Sequence, residues 1–539
     1  MTTRLQIFRP LALTLLVLAN FVSPTFAQEV TIPDPGLNAA FREALQKPAG
    51  PLTEQDLLSL INLDAQHRNI GSLAGLEAAR NLTSLNLNDN QLGTFSYPAA
   101  LTKLSVLNLS LNSLTNCTLP DGLTNLTALI LESNKLTNLN FPAGLTALNT
   151  LDLEGNKFTD FSLPSNLTGL VFLDVGFNLL TNCTLPGGLT NLDTLVLSGN
   201  LLKTFTLPDG LDNLIDLELS QNQLPSLSLP AGLTNLLAID LFFNQLTNLT
   251  LPAELKKLSV LHLDNNRFTS LNLPSSLTNL HFLNLRVNQL VNFALPPELN
   301  ALTFLDISEN QLTNVTLPTT LGHLNQLLIS GNTTLTRLII PPGMTNLTGL
   351  FLRSNQLTNL TLPNDLFNLV QIDVLGNQLT HLELPAGLTS LATLVLSGNP
   401  LASLTLPPDF TRLTSMVLDG TPLTTLVLSE PLAASFADAI AALEAQGVQV
   451  FTYPLAVQLI RLQQPIGAFQ FTITGPPGSY TVFTSTNLAT WSVLRTATNQ
   501  LGKVVFTDGT ANLSPQRFYR AQLQGPPPAL PALFGSEGF

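Results

Sequence analysis

The 539-residue sequence predicts an α/β-type repeat solenoid with a parallel β-sheet on its concave face, followed by a small all-β sandwich. Three observations predict it. Asparagines recur every 22 residues, alternating leucines precede each one, and from about Leu455 the periodic text gives way to short alternating segments between Gly, Pro and Asn turns. A chain this long outgrows one ordinary core, so it either divides into domains or extends in one direction; a fixed period selects the second.

Residues 1–27 read as a signal peptide: Arg4 and Arg9 are the positive start, Leu11 to Val22 the apolar stretch, and Thr25-Phe26-Ala27 the small-residue exit before Gln28. The rival, a membrane anchor, needs about 20 apolar residues and finds fewer. Cleavage would remove two positive charges and move the formal charge from −13 to −15, which argues against nucleic acid as a partner. Residues 28–60 read as a helical N-cap, with one helix starting at Asp34-Pro35 and a second at Thr53, three residues before Asp56. The first turn after it is degenerate, with Ala65 in a leucine slot and Arg68 in the asparagine slot.

The solenoid spans 61–428, about 16 or 17 units. Asn90, Asn112, Asn134, Asn156, Asn178, Asn200, Asn222, Asn244, Asn266, Asn288, Asn310 and Asn332 lie 22 apart; after one interval of 23 come Asn355, Asn377 and Asn399. A proline follows each by eight positions except Pro341, nine after Asn332, so the extra residue lies within 333–340. Leu-x-x-Leu-x-Leu before each asparagine, such as Leu126, Leu129 and Leu131, argues a short strand with leucines inward and variable residues outward. Stacked copies form a parallel sheet, and the asparagine amides, which both donate and accept, form a ladder against backbone groups buried by the turn. The return halves end in two alternating apolar residues and the proline, for example Leu136, Leu139, Phe141 and Pro142; proline lacks a donor and disfavours helix before it, so the convex side should be extended or short 3-10 pieces. On these residues the chain resembles the leucine-rich-repeat family, and its capped start resembles bacterial internalin-like members.

At the far end Thr421 takes the asparagine slot, and 429–454 reads as a helical C-cap with one amphipathic helix, Pro431 to Gln446, stopped by Gly447. Residues 455–524, with FQFTIT, YTVFTS, WSVLRT and KVVFTD, read as the β-sandwich. STNLATWSVLRT, KVVFTDG and QRFYRAQL resemble a C-terminal module of secreted multidomain bacterial proteins, which implies a fibronectin-like fold. Trp491 there is a core residue or a sugar platform. A Pro-rich tail, 525–539, carries no anchor signal.

Function is expected at the variable strand positions, which packing does not dictate. In the middle repeats they carry interleaved carboxylates and aromatics: Asp152, Phe172, Asp174, Asp216, Glu218, Asp240, Phe242, His262, Asp264, Phe282, Arg286, Phe304 and Asp306. Exposed phenylalanine rimmed by charge marks interfaces. The expectation is a secreted monomer, extracellular or periplasmic, whose concave face takes a protein or polysaccharide ligand without inserting into a membrane. The alternative is a structural or surface-layer rod with no groove ligand. No cofactor or metal is expected: Asp152 beside Asp174, and Glu218 beside Asp240, lack a calcium-loop pattern. Nor are catalytic residues, since the five histidines fall in no metal or nucleophile motif and Asp240 beside His262 is the only pair that strand stacking brings together. Cys117 and Cys183 replace core residues three turns apart, about 14 Å at the strand spacing. That exceeds the roughly 7 Å limit for a disulfide. The Asn-Leu-Thr triplets follow from the repeat text and carry little information.

Overall fold

The computed structural model describes residues 28–462, 469–511 and 516–525. The leader expected over 1–27 and residues 526–539 of the Pro-rich tail lie outside them. Among the described residues no helix is long and apolar enough to cross a membrane.

The chain opens on α1 (Pro35–Ala44) and α2 (Glu54–Leu58). Proline pre-sets the backbone of the first turn of α1, and one Asp34 oxygen caps it by accepting from the Gly36 and Leu37 amides. The other Asp34 oxygen accepts from Gly71 and Ser72, which ties the cap to the first solenoid turn. Thr53 and Asp56 form a reciprocal capping box on α2. Leu37, Phe41 and Leu57 are thereby buried against the exposed end of the solenoid core.

Seventeen strands of three residues, from Asn62–Asp64 to Ser415–Val417, form one parallel sheet. Register runs leucine to leucine, Leu85 beside Leu107 and Leu107 beside Leu129, so every central side chain points into the same core. At about 4.8 Å per strand the sheet is roughly 75 to 80 Å long. Full burial of each leucine contributes on the order of 2 kcal/mol. The return halves are extended, and several pair into short parallel strands of their own, such as Thr94–Ser96 with Asn116–Thr118 and Ser226–Ser228 with Asn248–Thr250.

Each of the fifteen asparagines donates its amide to a carbonyl of the preceding turn. Asn112 shows the full pattern: Nδ2 donates to the Leu87, Leu109 and Ser110 carbonyls at 3.0 to 3.1 Å, and Oδ1 accepts from the Leu92 amide at 3.0 Å. The 23-residue interval is absorbed locally. Asn355 there accepts from the Asn332 amide instead, Leu335 fills the core, and the Thr334 hydroxyl donates to the Leu312 carbonyl. At the last turn the Thr421 hydroxyl donates to the Leu418 carbonyl and keeps one asparagine-type bond.

Cys117 and Cys183 are buried, unbridged and paired in register with Phe95 and Phe161 respectively. Burial pushes both thiols up to about 12, so neither is a nucleophile at neutral pH. A thiol reagent is expected to titrate no cysteine in the native chain and both after unfolding; reaction of either in the native chain at the rate of a free thiol contradicts this placement.

The C-terminal cap departs from the single helix expected over Pro431 to Gln446. It is two helices, α3 (Glu430–Ser435) and α4 (Ala437–Ala445), because Phe436 leaves the helical region at φ −111°, ψ 25° while its half-buried ring packs against the solenoid core. Nor does α4 bury a residue fully, so it is a cover more than an amphipathic plug. A strand that follows, Gln449–Tyr453, pairs in parallel with Thr425–Ser429, and the Tyr453 hydroxyl donates to the Leu406 carbonyl.

Beyond it lie two three-stranded antiparallel sheets. Phe469–Thr474 pairs with Gln458–Arg461 and Lys503–Asp508; Gly478–Ser485 pairs with Ser492–Asn499 and Phe518–Gly525. Phe471, Ile473, Tyr480, Val482 and Phe506 are their core. Trp491 is neither buried core nor a bare platform: the Arg520 guanidinium lies 4.7 Å from its ring centroid and equally close to that of Phe483.

Candidate binding face

Three side chains per strand alternate with the leucines and line the concave sheet, at two, four and six residues before each asparagine. Strand register makes each position a row. Glu218, Asp240, His262, Asn284 and Asp306 stand side by side in the middle row, with Asp152 beside Asp174 further up. In the row before it, Phe282 and Phe304 stack with ring centroids 4.5 Å apart and planes within 4°. His262 lies against Phe282 at 4.7 Å. Phe242, in the third row, contacts Phe243 at 5.7 Å. Phe172 stands beside Thr150 and Thr194, away from the other rings.

The carboxylates divide into two kinds. Asp174, Asp264 and Asp306 are only 8, 9 and 5% exposed, so they are not the open contact groups expected. The middle row explains two of them. Asp174 accepts from the Gly176 amide and Asp306 from the Ser308 amide, at 2.7 and 2.8 Å. Asn86, Asn108, Asp152, Asp240, Asn284 and Asp373 do the same for the amide two residues on. Asn and Asp favour this position because their side chains close an Asx-type turn as the strand ends.

Asp264 differs. One oxygen accepts from the Asn265 side chain, and the other, 3.8 Å from His262 Nδ1, has no hydrogen-bond partner among the described residues. His262 is raised from its ordinary value, first by Asp264. The carboxylate nearest its Nδ1 is therefore on its own strand, and the pair expected with Asp240 is not the close one. Arg286 is exposed and held by Glu309, so it is spoken for within the chain.

Asp152, Glu154, Asp216 and Glu218 remain half-exposed. Burial first, and neighbouring carboxylates after it, raise each of them above the ordinary range. Asp174 is pushed up to about 7, by burial foremost and then by Asp152, Glu154 and Glu218, against the Gly176 amide. Asp152, Glu154 and Asp174 each offer an oxygen within 4.8 Å of the others. Calcium takes six to eight oxygens, and Asp174 already spends one on Gly176. What the face presents is uncompensated negative charge beside aromatic rings.

The BspA type leucine rich repeat region family matches the chain over 81–172, 171–283, 216–336, 264–373 and 349–441. No curated protein matches it in sequence. Among solved structures, a leucine-rich-repeat protein of Leptospira interrogans is 28% identical, with 74% of this chain and 97% of that one covered and a TM-score of 0.51. YopM from Yersinia enterocolitica is 26% identical over 72% of this chain and 92% of its own, with a TM-score of 0.49. The functional domain of InlJ from Listeria monocytogenes is 20% identical over 83% and 97%, with a TM-score of 0.46.

Proposed function

The chain belongs to the BspA-type leucine-rich-repeat family, and from that premise we propose that it is a secreted binding protein whose concave face, between Asp152 and Asp306, takes a protein or polysaccharide ligand. One observation carries the reading. Phe242, Phe282 and Phe304 occupy positions where most other repeats carry no ring, such as Ser220, Ser84 and Thr150, so the fold does not require rings there. The leader-like text of residues 1–27 supports export. The fibronectin-like module would then act as a spacer or second contact.

The full chain, immobilised, tests this in a pull-down from culture supernatant and on a glycan array. Saturable retention of a protein or a glycan at micromolar concentration is expected. Retention of nothing, with self-association instead, supports the rod.

A further inference from the structure

Beside the concave face runs a ridge that the fold does not explain. The residue before each ladder asparagine takes a left-handed backbone, and five turns place glycine there, Gly155, Gly199, Gly331, Gly376 and Gly398, as does Gly420 before Thr421, at φ 65 to 73°. Leu111, Phe177 and Phe243 occupy the same position at φ 53, 49 and 54°. Left-handed backbone is unfavourable for a bulky L-residue. Their side chains gain no burial in return: they are 47, 51 and 58% exposed.

The Phe177 ring lies over the neighbouring turn, where a Cβ on Gly199 would stand 2.6 Å from its Cδ1. Leu179 and Leu201, which follow the ladder asparagines of the same and the next turn, are exposed as well. Phe243 lies three strands further on, about 14 Å at the strand spacing. On the concave sheet Asp152 stands beside Asp174, three residues before Phe177, and Glu218 beside Asp240, three residues before Phe243. Among the described residues no lysine or arginine occupies a concave position between Ser84 and Asp264. Apolar pegs in the turns thus stand next to a run of carboxylates on the sheet, and Lys135 and Lys157, in the slot of Leu179 and Leu201, lie before the first peg.

We propose that this ridge and the acidic strip beside it form a docking surface for an extended basic protein segment bearing large apolar side chains. Apolar residues of the segment seat at Phe177 and Phe243, and its lysines or arginines meet the carboxylates between them. Extended chain rises about 3.3 Å per residue, so side chains four apart span the two rings. The inference rests on the binding reading above and names the partner's chemistry.

The test is fluorescence anisotropy of the full chain with a labelled peptide carrying phenylalanine at every fourth position and lysine between. Control peptides replace phenylalanine by serine, or lysine by glutamate. Phe177→Asn with Phe243→Asn is the informative variant, because Asn265 already holds this turn at φ 56°. Binding of the lysine–phenylalanine peptide is expected to weaken about tenfold in that variant and to fall with added salt, while circular dichroism and the unfolding midpoint are preserved or improved. Equal binding of the serine or glutamate peptide, or an unaffected double variant, overturns the ridge. Loss confined to Phe242→Ser, Phe282→Ser and Phe304→Ser overturns the ridge but leaves the concave-face reading standing. No binding of any peptide overturns the basic segment and leaves the groove ligand to the pull-down.

Discussion

Asn222→Leu is expected to destabilise the solenoid by about 3 to 5 kcal/mol, with a clear drop in the urea midpoint. The shape is nearly conserved, so the effect isolates hydrogen bonding. Asn222 donates to the Leu197, Leu219 and Ser220 carbonyls and accepts from the Leu202 amide, all buried. Leucine satisfies none of them: the Leu202 amide is left without an acceptor, which costs roughly 1 to 3 kcal/mol, while the three carbonyls keep a donor each, from Asn200, Asn244 and the Gly199 amide, and lose a bond contributing about 0.5 to 1.5 kcal/mol apiece. Asn222→Thr should lose less, because Thr421 keeps one such bond in the same slot. Since each turn touches only its neighbours, amide exchange should quicken first around residues 197–222 and not in the distant caps. A midpoint within error of the parent chain would mean that the ladder decorates the fold without supporting it.

Asp174→Asn is expected to stabilise the chain at neutral pH. The folded chain holds this carboxyl at about 7 against an ordinary 3.8, so it binds the proton more tightly than the unfolded chain does. Stability from this group is therefore greatest below about pH 4, falls as pH rises towards 7, and is flat above. One pH unit is about 1.4 kcal/mol, which sets a ceiling of about 4 kcal/mol. Asparagine removes the charge yet keeps the acceptor for the Gly176 amide, as Asn86, Asn108 and Asn284 do for theirs. Urea midpoints at pH 4.5 and pH 8 should therefore differ less in the variant, with the gain at pH 8. A variant equal to the parent at both values would contradict the buried, repelled carboxylate.

Most of the fold was legible because it rests on local rules that repeat. Leu85, Leu107 and their counterparts announce an inward row, the asparagines announce turns, and Asp34-Pro35 with Thr53 and Asp56 announce two helix starts. The binding face was less so. Alternation places Asp174 and Asp306 on the concave row correctly, but whether a carboxylate there reaches out or folds back on an amide two residues on depends on how the strand ends. The recurrence of Asn and Asp in that row was the available signal.

The ridge escaped for a related reason. Its left-handed backbone shows in the sequence only where glycine occupies the slot, so Phe177 and Phe243 look unremarkable until Gly155 and Gly199 are aligned with them. Arg520 over Trp491 and the break at Phe436 are tertiary contacts with no repeat to reveal them.

On the proposed function the consensus residues hold the solenoid while the concave rings serve a ligand. Replacing Phe242, Phe282 and Phe304 together with serine, and measuring ligand capture and the unfolding midpoint on the same preparations, separates the two roles. These rings are half-exposed, and the stacked pair Phe282 and Phe304 contributes on the order of 1 kcal/mol to the sheet. Capture is expected to be lost while the midpoint shifts only slightly. Capture that persists at the parent level, with or without a change in stability, would contradict it.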